Sequence, residues 1–240
     1  MKKTLIALTT FACFSNFAYA ETNEFYLGGQ LGASIIKVKN IKDTLHYNYD
    51  AVVNDGIFNS MHKAKLAGAL NLGYNFSNYD IPARVELSLT LRGNADKKEN
   101  RYTNYEEYRL RTTQKVKSRM NTLMLNGYYD IDIDSPITPF IGAGFGVAFT
   151  KLENSHKEKY NVSVDGSNYE RSLSKTKTKF AWNVATGVAY KLNNNMVVDF
   201  TARYVDAGKV NIKKHNEYYR TNASAELSSI DLLAGVRYSF

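Results

Sequence analysis

The fold this sequence predicts is an eight-stranded antiparallel transmembrane β-barrel, and three observations lead to it. Eight segments alternate apolar residues with small or polar ones at period two, the signature of a strand with one greasy and one wet face. Outside the N-terminal stretch, no apolar run reaches the roughly 18 residues that a membrane helix needs. The connections between the eight segments run long, short, long, short, long, short, long, so four long loops share one rim and three short turns the other. A surplus of tyrosine (18) over proline (3) in 240 residues suits strands.

Residues 1–20 read as a secretory signal: Lys2 and Lys3, an apolar core over 5–14, then Ala18-Tyr19-Ala20 as a small-x-small cleavage site. The expected mature domain spans 21–240, and loss of the two lysines lowers the net charge from +8 to +6. The single cysteine, Cys13, lies within that leader. A lipoprotein cut before it would need a better approach than Thr10-Phe11-Ala12, so neither disulfides nor thiol ligands are expected in the mature chain.

The strands follow in order. Residues 25–35 place Phe25, Leu27, Leu31 and Ile35 on one face; 63–76 place Leu66, Leu70, Leu72, Tyr74 and Phe76. Pro82 opens a third strand with Val85, Leu87, Leu89 and Leu91 against Arg84, Glu86, Ser88, Thr90 and Arg92. The fourth, over 116–130, has ambiguous parity, because Leu123, Leu125 and Tyr129 compete with Met120, Met124 and Tyr128; a bulge or a different register would account for it. The fifth sets Ile141, Phe145, Val147 and Phe149 against glycines and Ala148, and the sixth sets Phe180, Trp182, Val184, Val188 and Tyr190 against Ala181, Asn183, Ala185, Gly187 and Ala189. After the turn Leu192-Asn193-Asn194-Asn195, whose asparagines tolerate left-handed backbone, Val198, Phe200, Ala202 and Tyr204 face outward. The last strand, 224–240, is apolar on alternate residues from Ile230 to Phe240, an edge that a barrel closes by pairing it with the first strand.

Parity also assigns an interior of Gly, Ala, Ser and Asn with a few charges: Arg84, Glu86, Asp199, Arg203, Asp231 and Arg237. An eight-stranded barrel is just wide enough for side chains to fill it, so these charges must pair in an internal network, and no open pore is expected. Outward aromatics such as Tyr74, Phe76, Phe149, Trp182, Tyr190, Tyr204, Tyr238 and Phe240 read as membrane girdles.

An enzyme would need a nucleophile and a base held on rigid elements. The four histidines, His46, His62, His156 and His215, fall in the expected loops or at their edges, so no catalytic residue, metal site or cofactor is assigned.

The loops carry charge instead. Residues 93–115 hold Lys97, Lys98, Arg101, Arg109, Arg111 and Lys115 against four acids; 150–179 hold Lys151, Lys157, Lys159, Arg171, Lys175, Lys177 and Lys179 against four; 206–223 hold Lys209, Lys213, Lys214 and Arg220 against two. Their net charges, +2, +3 and +2, exceed the +6 of the mature chain, so the outer end is basic and the rest close to neutral. Lysine and arginine interleaved with Tyr102, Tyr105, Tyr108, Tyr160, Tyr169, Tyr218 and Tyr219 suit polyanions bearing sulfate, phosphate or carboxylate, including the cell's own lipopolysaccharide. Nucleic acid is a poor partner for such a position.

The segments Gly73-Tyr74-Asn75-Phe76, Tyr128-Tyr129-Asp130, Pro139-Phe140-Ile141-Gly142-Ala143, Gly187-Val188-Ala189-Tyr190 and Arg203-Tyr204, with the ending Leu233-Ala234-Gly235-Val236-Arg237-Tyr238-Ser239-Phe240, resemble the strands of the opacity (Opa) family of porins and adhesins. The chain is also similar to the Tia and Hek type of outer-membrane invasin. The resemblance implies a Gram-negative surface adhesin whose basic loops engage heparan sulfate or another host receptor, and whose terminal Tyr238 and Phe240 present the signal read by the outer-membrane insertion machinery. The "porin" label is not supported by the narrow lumen. The function expected is adhesion or invasion through basic extracellular loops; the alternative is an envelope-protective barrel or small channel.

Overall fold

The computed structural model describes residues 24–47, 52–54, 60–104, 109–160, 169–215 and 219–240. The expected signal segment therefore lies outside the described residues, as do Tyr105, Tyr108 and Tyr218. Among the described residues the strands are β1 (Phe25–Tyr47), β2 (Val52–Asn54), β3 (Met61–Asn75), β4 (Ala83–Arg92), β5 (Ala95–Asn104), β6 (Arg109–Asp130), β7 (Ile137–Tyr160), β8 (Tyr169–Lys191), β9 (Met196–His215) and β10 (Tyr219–Ser239). Each strand of the main path pairs antiparallel with its neighbours, in the order β10-β9-β8-β7-β6-β4-β3-β1. β1 then pairs with β10, from Tyr26↔Ser239 to Tyr47↔Tyr219, and the sheet closes into a ring of eight. β4 and β5 are two halves of one path interrupted at Gly93 and Asn94, since both pair with β6. β2 adds three residues against the top of β1.

The outer surface explains the closure. Leu66 is 84% exposed and Leu31 75%, alongside outward Leu70, Phe145, Val184, Phe200 and Leu232. Such a continuous apolar belt suits hydrocarbon, where an open sheet edge would leave backbone groups without partners. Aromatic residues bound the belt. At the short-turn end, Tyr74 packs edge-on between Phe25 and Phe76, at centroid distances of 4.8 and 4.9 Å, on the same rim as Tyr129, Tyr190 and Tyr238. At the other end, Trp182 lies 5.8 Å from Tyr204, near Phe149 and Phe180. Along β8, Phe180 and Tyr190 are separated by about ten residues, the length a tilted strand needs to cross the membrane.

Three sequence-based expectations change. The parity of β6 is regular: Met120, Met124 and Tyr128 are buried inside, Leu123, Leu125 and Tyr129 face out, and the register with β4 and β7 contains no bulge. The ambiguity came from apolar residues on both faces, because the lumen accepts methionine as readily as the exterior accepts leucine. The asparagine turn also works differently. The non-glycine residues with positive φ among those described are Asn40, Asp80 and Asp134, the last two in the first and second short turns. After β8, Asn193 Oδ1 instead accepts the backbone amides of Asn195 (3.0 Å) and Met196 (2.8 Å), a side-chain turn made without a positive φ.

The third change concerns the long loops, which are largely sheet. β6, β7 and β8 contain 22, 24 and 23 residues, about twice the membrane span. The extensions are rich in Thr, Tyr and long charged side chains that form cross-strand pairs, such as Lys117 with Glu153 at 3.1 Å, so water-exposed ladders are as well satisfied as loops. Beyond Phe149, β7 continues for eleven residues, a projection of roughly 25–30 Å at the usual strand tilt.

These projections do not form one cylinder. The β8–β9 register stops at Trp182↔Asp206, and the β3–β4 register at Ala67↔Arg92. Above those points β5–β6–β7–β8 form one wall and β3–β1–β10–β9 another.

Lumen packing demands glycine where interior tyrosines cross the barrel. A Cβ on Gly142 would collide with the Tyr128 ring, whereas one on outward Gly127 meets nothing within 4 Å. Gly142→Leu is expected to reduce the refolded fraction severely while Gly127→Ala leaves it unchanged, as read by the heat-dependent gel shift of refolded protein in detergent.

Candidate functional site: lumen network and basic outer wall

The lumen holds polar residues in its lower part and an apolar layer above. Near the short turns, Arg84 lies 3.4 Å from Asp130, with its guanidinium 4.5 Å from the centroids of both the Tyr128 and Phe140 rings. Tyr26 donates to Glu86 at 3.0 Å and Tyr128 to the same carboxylate at 3.5 Å, while Arg203 donates to the Tyr128 hydroxyl at 3.0 Å and sits 4.0 Å from Glu86. Asp199 accepts from Arg237 Nε at 2.9 Å and from Gln30.

Higher in the lumen, Arg92 and Asp231 form a fork-to-fork pair at 3.1 and 2.5 Å, both side chains fully buried. Ser34 donates to Asp231 at 2.6 Å, and Arg92 Nη1 donates to Thr122 Oγ1 and to the Met120 carbonyl, each at 3.1 Å. Six charged residues read from sequence as interior, Arg84, Glu86, Asp199, Arg203, Asp231 and Arg237, are all buried here. Arg92 was not among them although it continues the same alternation as Arg84 and Glu86. Among the described residues, four arginines and the carboxylates of Glu86, Asp130, Asp199 and Asp231 balance in charge.

Above the Arg92 and Asp231 pair lies a cluster including Ile36, Val38, Met61, Met120, Leu152, Val205 and Leu227, all buried. Sequence parity gave no warning of it, because an apolar lumen layer alternates like a lipid-facing one. It lies between the polar network and the outer rim.

The candidate binding cations are strand residues rather than loop residues: Lys97, Lys98 and Arg101 on β5, Arg109, Arg111 and Lys115 on β6, Lys157 and Lys159 on β7, Lys175 and Lys177 on β8, and Lys213 and Lys214 on β9. His46, His62, His156 and His215 likewise fall within β1, β3, β7 and β9, not in loops. The ladder sorts the cations by face. Lys98, Arg109, Arg111, Lys115, Lys157 and Lys159 share the outward parity of the β5–β6–β7 wall with Lys117, Arg119 and Lys151. Lys97, Arg101, Lys175 and Lys177 take the inward parity, opposite Val116, Thr112, Leu152 and Thr150. Lys97 lies 2.5 Å from Glu99.

On the outward wall the register sets like charges directly opposite: Lys98↔Lys115, Arg111↔Lys159 and Arg119↔Lys151. Tyr102 lies against the guanidiniums of Arg109 and Arg111, 5.5 and 5.6 Å from its ring centroid. At the seam between the walls, Lys65 on β3 donates to Asp96 on β5 at 3.3 Å. That hydrogen bond, and next the lysine's charge, hold the Asp96 carboxyl below the usual carboxylate range. The bridge is therefore complete above that range and lost only as pH falls through the lowered value.

Residues 4–240 match the family described as outer membrane protein beta-barrel domain. The chain belongs to that family. It is 32% identical over 221 residues to the outer membrane protein PagN of Salmonella typhimurium, covering 90% of this chain and 89% of PagN. It is 26% identical over 246 residues to a candidate adhesin of Rickettsia prowazekii, covering 99% of each. Among solved structures, Neisserial surface protein A aligns with a TM-score of 0.46 at 18% identity, over 91% of this chain and 98% of that one. This outer membrane β-barrel therefore resides in the Gram-negative outer membrane, with its apolar belt in the bilayer.

The Arg92 and Asp231 pair provides the test of the lumen. Asp231→Ala strands a buried guanidinium and is expected to cost about 3–5 kcal/mol in equilibrium urea unfolding from lipid vesicles. The double substitution Arg92→Leu with Asp231→Leu is expected to recover most of that loss.

Proposed function

We propose that this outer membrane β-barrel is an adhesin that binds anionic glycans, of the sulfated kind found in heparan sulfate, through the outward face of the β5–β6–β7 wall. One observation carries the reading: the register holds three like-charge pairs face to face, Lys98 with Lys115, Arg111 with Lys159 and Arg119 with Lys151. Cations facing each other across about 5 Å destabilise a sheet unless an anion comes between them. A polymer with regularly spaced sulfates supplies such anions along the wall, and Tyr102 gives its sugar rings an apolar surface. The names of the relatives point the same way, since one is called a candidate adhesin.

The cations nearest the apolar belt, Arg119, Lys117 and Lys151, are also placed for the phosphates of the cell's own lipopolysaccharide, so the glycan reading rests chiefly on the two distal pairs. The more distal ones extend beyond it. The reading is of a binding protein and not an enzyme or a channel. It is supported by a lumen whose arginines and carboxylates are committed to one another beneath an apolar layer. At the closing strand, Tyr238 faces outward and the Phe240 amide donates to the Phe25 carbonyl at 3.1 Å, an arrangement compatible with a signal read by the insertion machinery before the ring shuts.

Refolded protein is expected to be retained on immobilised heparin at about 0.15 M salt and released as the salt rises, because the interaction is screened. Lys98→Glu, Lys115→Glu and Lys159→Glu combined should abolish retention while leaving the gel shift of the folded barrel intact. Retention unchanged by the three reversals would refute this site. Planar bilayers containing the folded protein are expected to show no stepwise conductance.

A further inference from the structure

We infer that the free edge of β8 above the membrane is a docking site for an extended, acidic polypeptide strand, held by backbone hydrogen bonds and matched to Lys175, Lys177 and Lys179. This goes beyond the glycan reading and uses a different surface of the same wall.

On one side, β8 is laddered to β7 over its whole length, from Ile137↔Tyr190 to Glu158↔Tyr169. On the other, its register with β9 ends at Trp182↔Asp206, although β8 begins at Tyr169 and β9 runs on to His215. Local geometry diverts β9. Asp206 Oδ1 accepts the Gly208 amide at 2.7 Å, Gly208 has φ +65°, and the β9–β10 register slips between Glu226 and Ser228. A bulge of this kind bends the strand and raises its twist, which carries β9 with β10 and away from β8. Among the described residues, alternate backbone groups of β8 over 169–181 consequently point out of the sheet without a strand beside them.

A long free edge is a template for pairing; this stretch contains no proline, and its lysines blunt it against neutral or basic strands while leaving it open to an acidic one. Its side chains choose the partner. Lys175, Lys177 and Lys179 occupy successive positions of one face, and Thr176 and Thr178 occupy the other, exposed. A second copy of β8 would set lysine opposite lysine, which opposes self-association. A strand with carboxylates at alternate residues sets each one opposite a lysine and adds main-chain bonds, the pattern of β-strand addition.

The test uses the refolded full chain in detergent micelles and a fluorescent peptide of about nine alternating glutamates and threonines, long enough to cover the edge. Fluorescence anisotropy should report saturable binding. Methylating alternate backbone nitrogens of the peptide, which keeps its charge and removes its donors, should weaken binding about tenfold or more. Lys175→Glu with Lys177→Glu should do the same, and hydrogen exchange across 169–181 should slow when the unmodified peptide is bound. Equal binding of the methylated peptide would show charge attraction alone and overturn the proposal; so would absence of binding by the parent peptide. The variant reversed at Lys98, Lys115 and Lys159 should keep peptide binding while losing heparin, so the two readings can fail separately.

Discussion

Everything in this structure depends on a prohibition: hydrocarbon offers no hydrogen-bond partner to a peptide group. A sheet in the bilayer must therefore close, and the pairing of β1 with β10 closes it. Closure gives each strand an inside and an outside, and period-two alternation then decides the environment of every side chain. Leucine and aromatic residues face lipid. Arginine, carboxylate and amide groups are left in a lumen too narrow for bulk water, where they have only one another.

The lumen and the projecting walls are two answers to that prohibition. Within the belt, polar groups are arranged by exchange: Arg92 takes Asp231, Arg237 takes Asp199, and Tyr128 serves both Glu86 and Arg203. Above the belt, water satisfies free edges and the ring is no longer compulsory. The two seams begin there, at Trp182 with Asp206 and at Ala67 with Arg92. The salt bridge from Lys65 to Asp96 crosses one seam where backbone pairing has stopped.

Much of the transmembrane part was legible because lipid and lumen impose opposite chemistry on adjacent residues. Val85 to Leu91 against Arg84 to Arg92 is the clearest case. β6 was not legible, since Met120 and Met124 pack the lumen while Leu123 and Leu125 meet lipid, and hydrophobicity alone cannot separate two apolar surroundings. The strand ends above the membrane were hidden for the converse reason: with water on both faces, Lys, Thr and Glu can sit on either. The basic residues could be found by counting, but only the register shows which of them share a face. Lys98 with Lys115 is a contact between residues on adjacent strands, and Lys97 with Lys98, adjacent in sequence, point to opposite sides.

Placing the cations on ladders and not at hairpin tips has a consequence for how such a chain can vary. Length changes in the connections between strands leave every facing intact. One residue inserted within the upper part of β7, beyond Phe149, would invert parity above it and turn Lys157 and Lys159 from the outer face to the inner. The flanks below the connections thus tolerate changes in side chain and forbid changes in count.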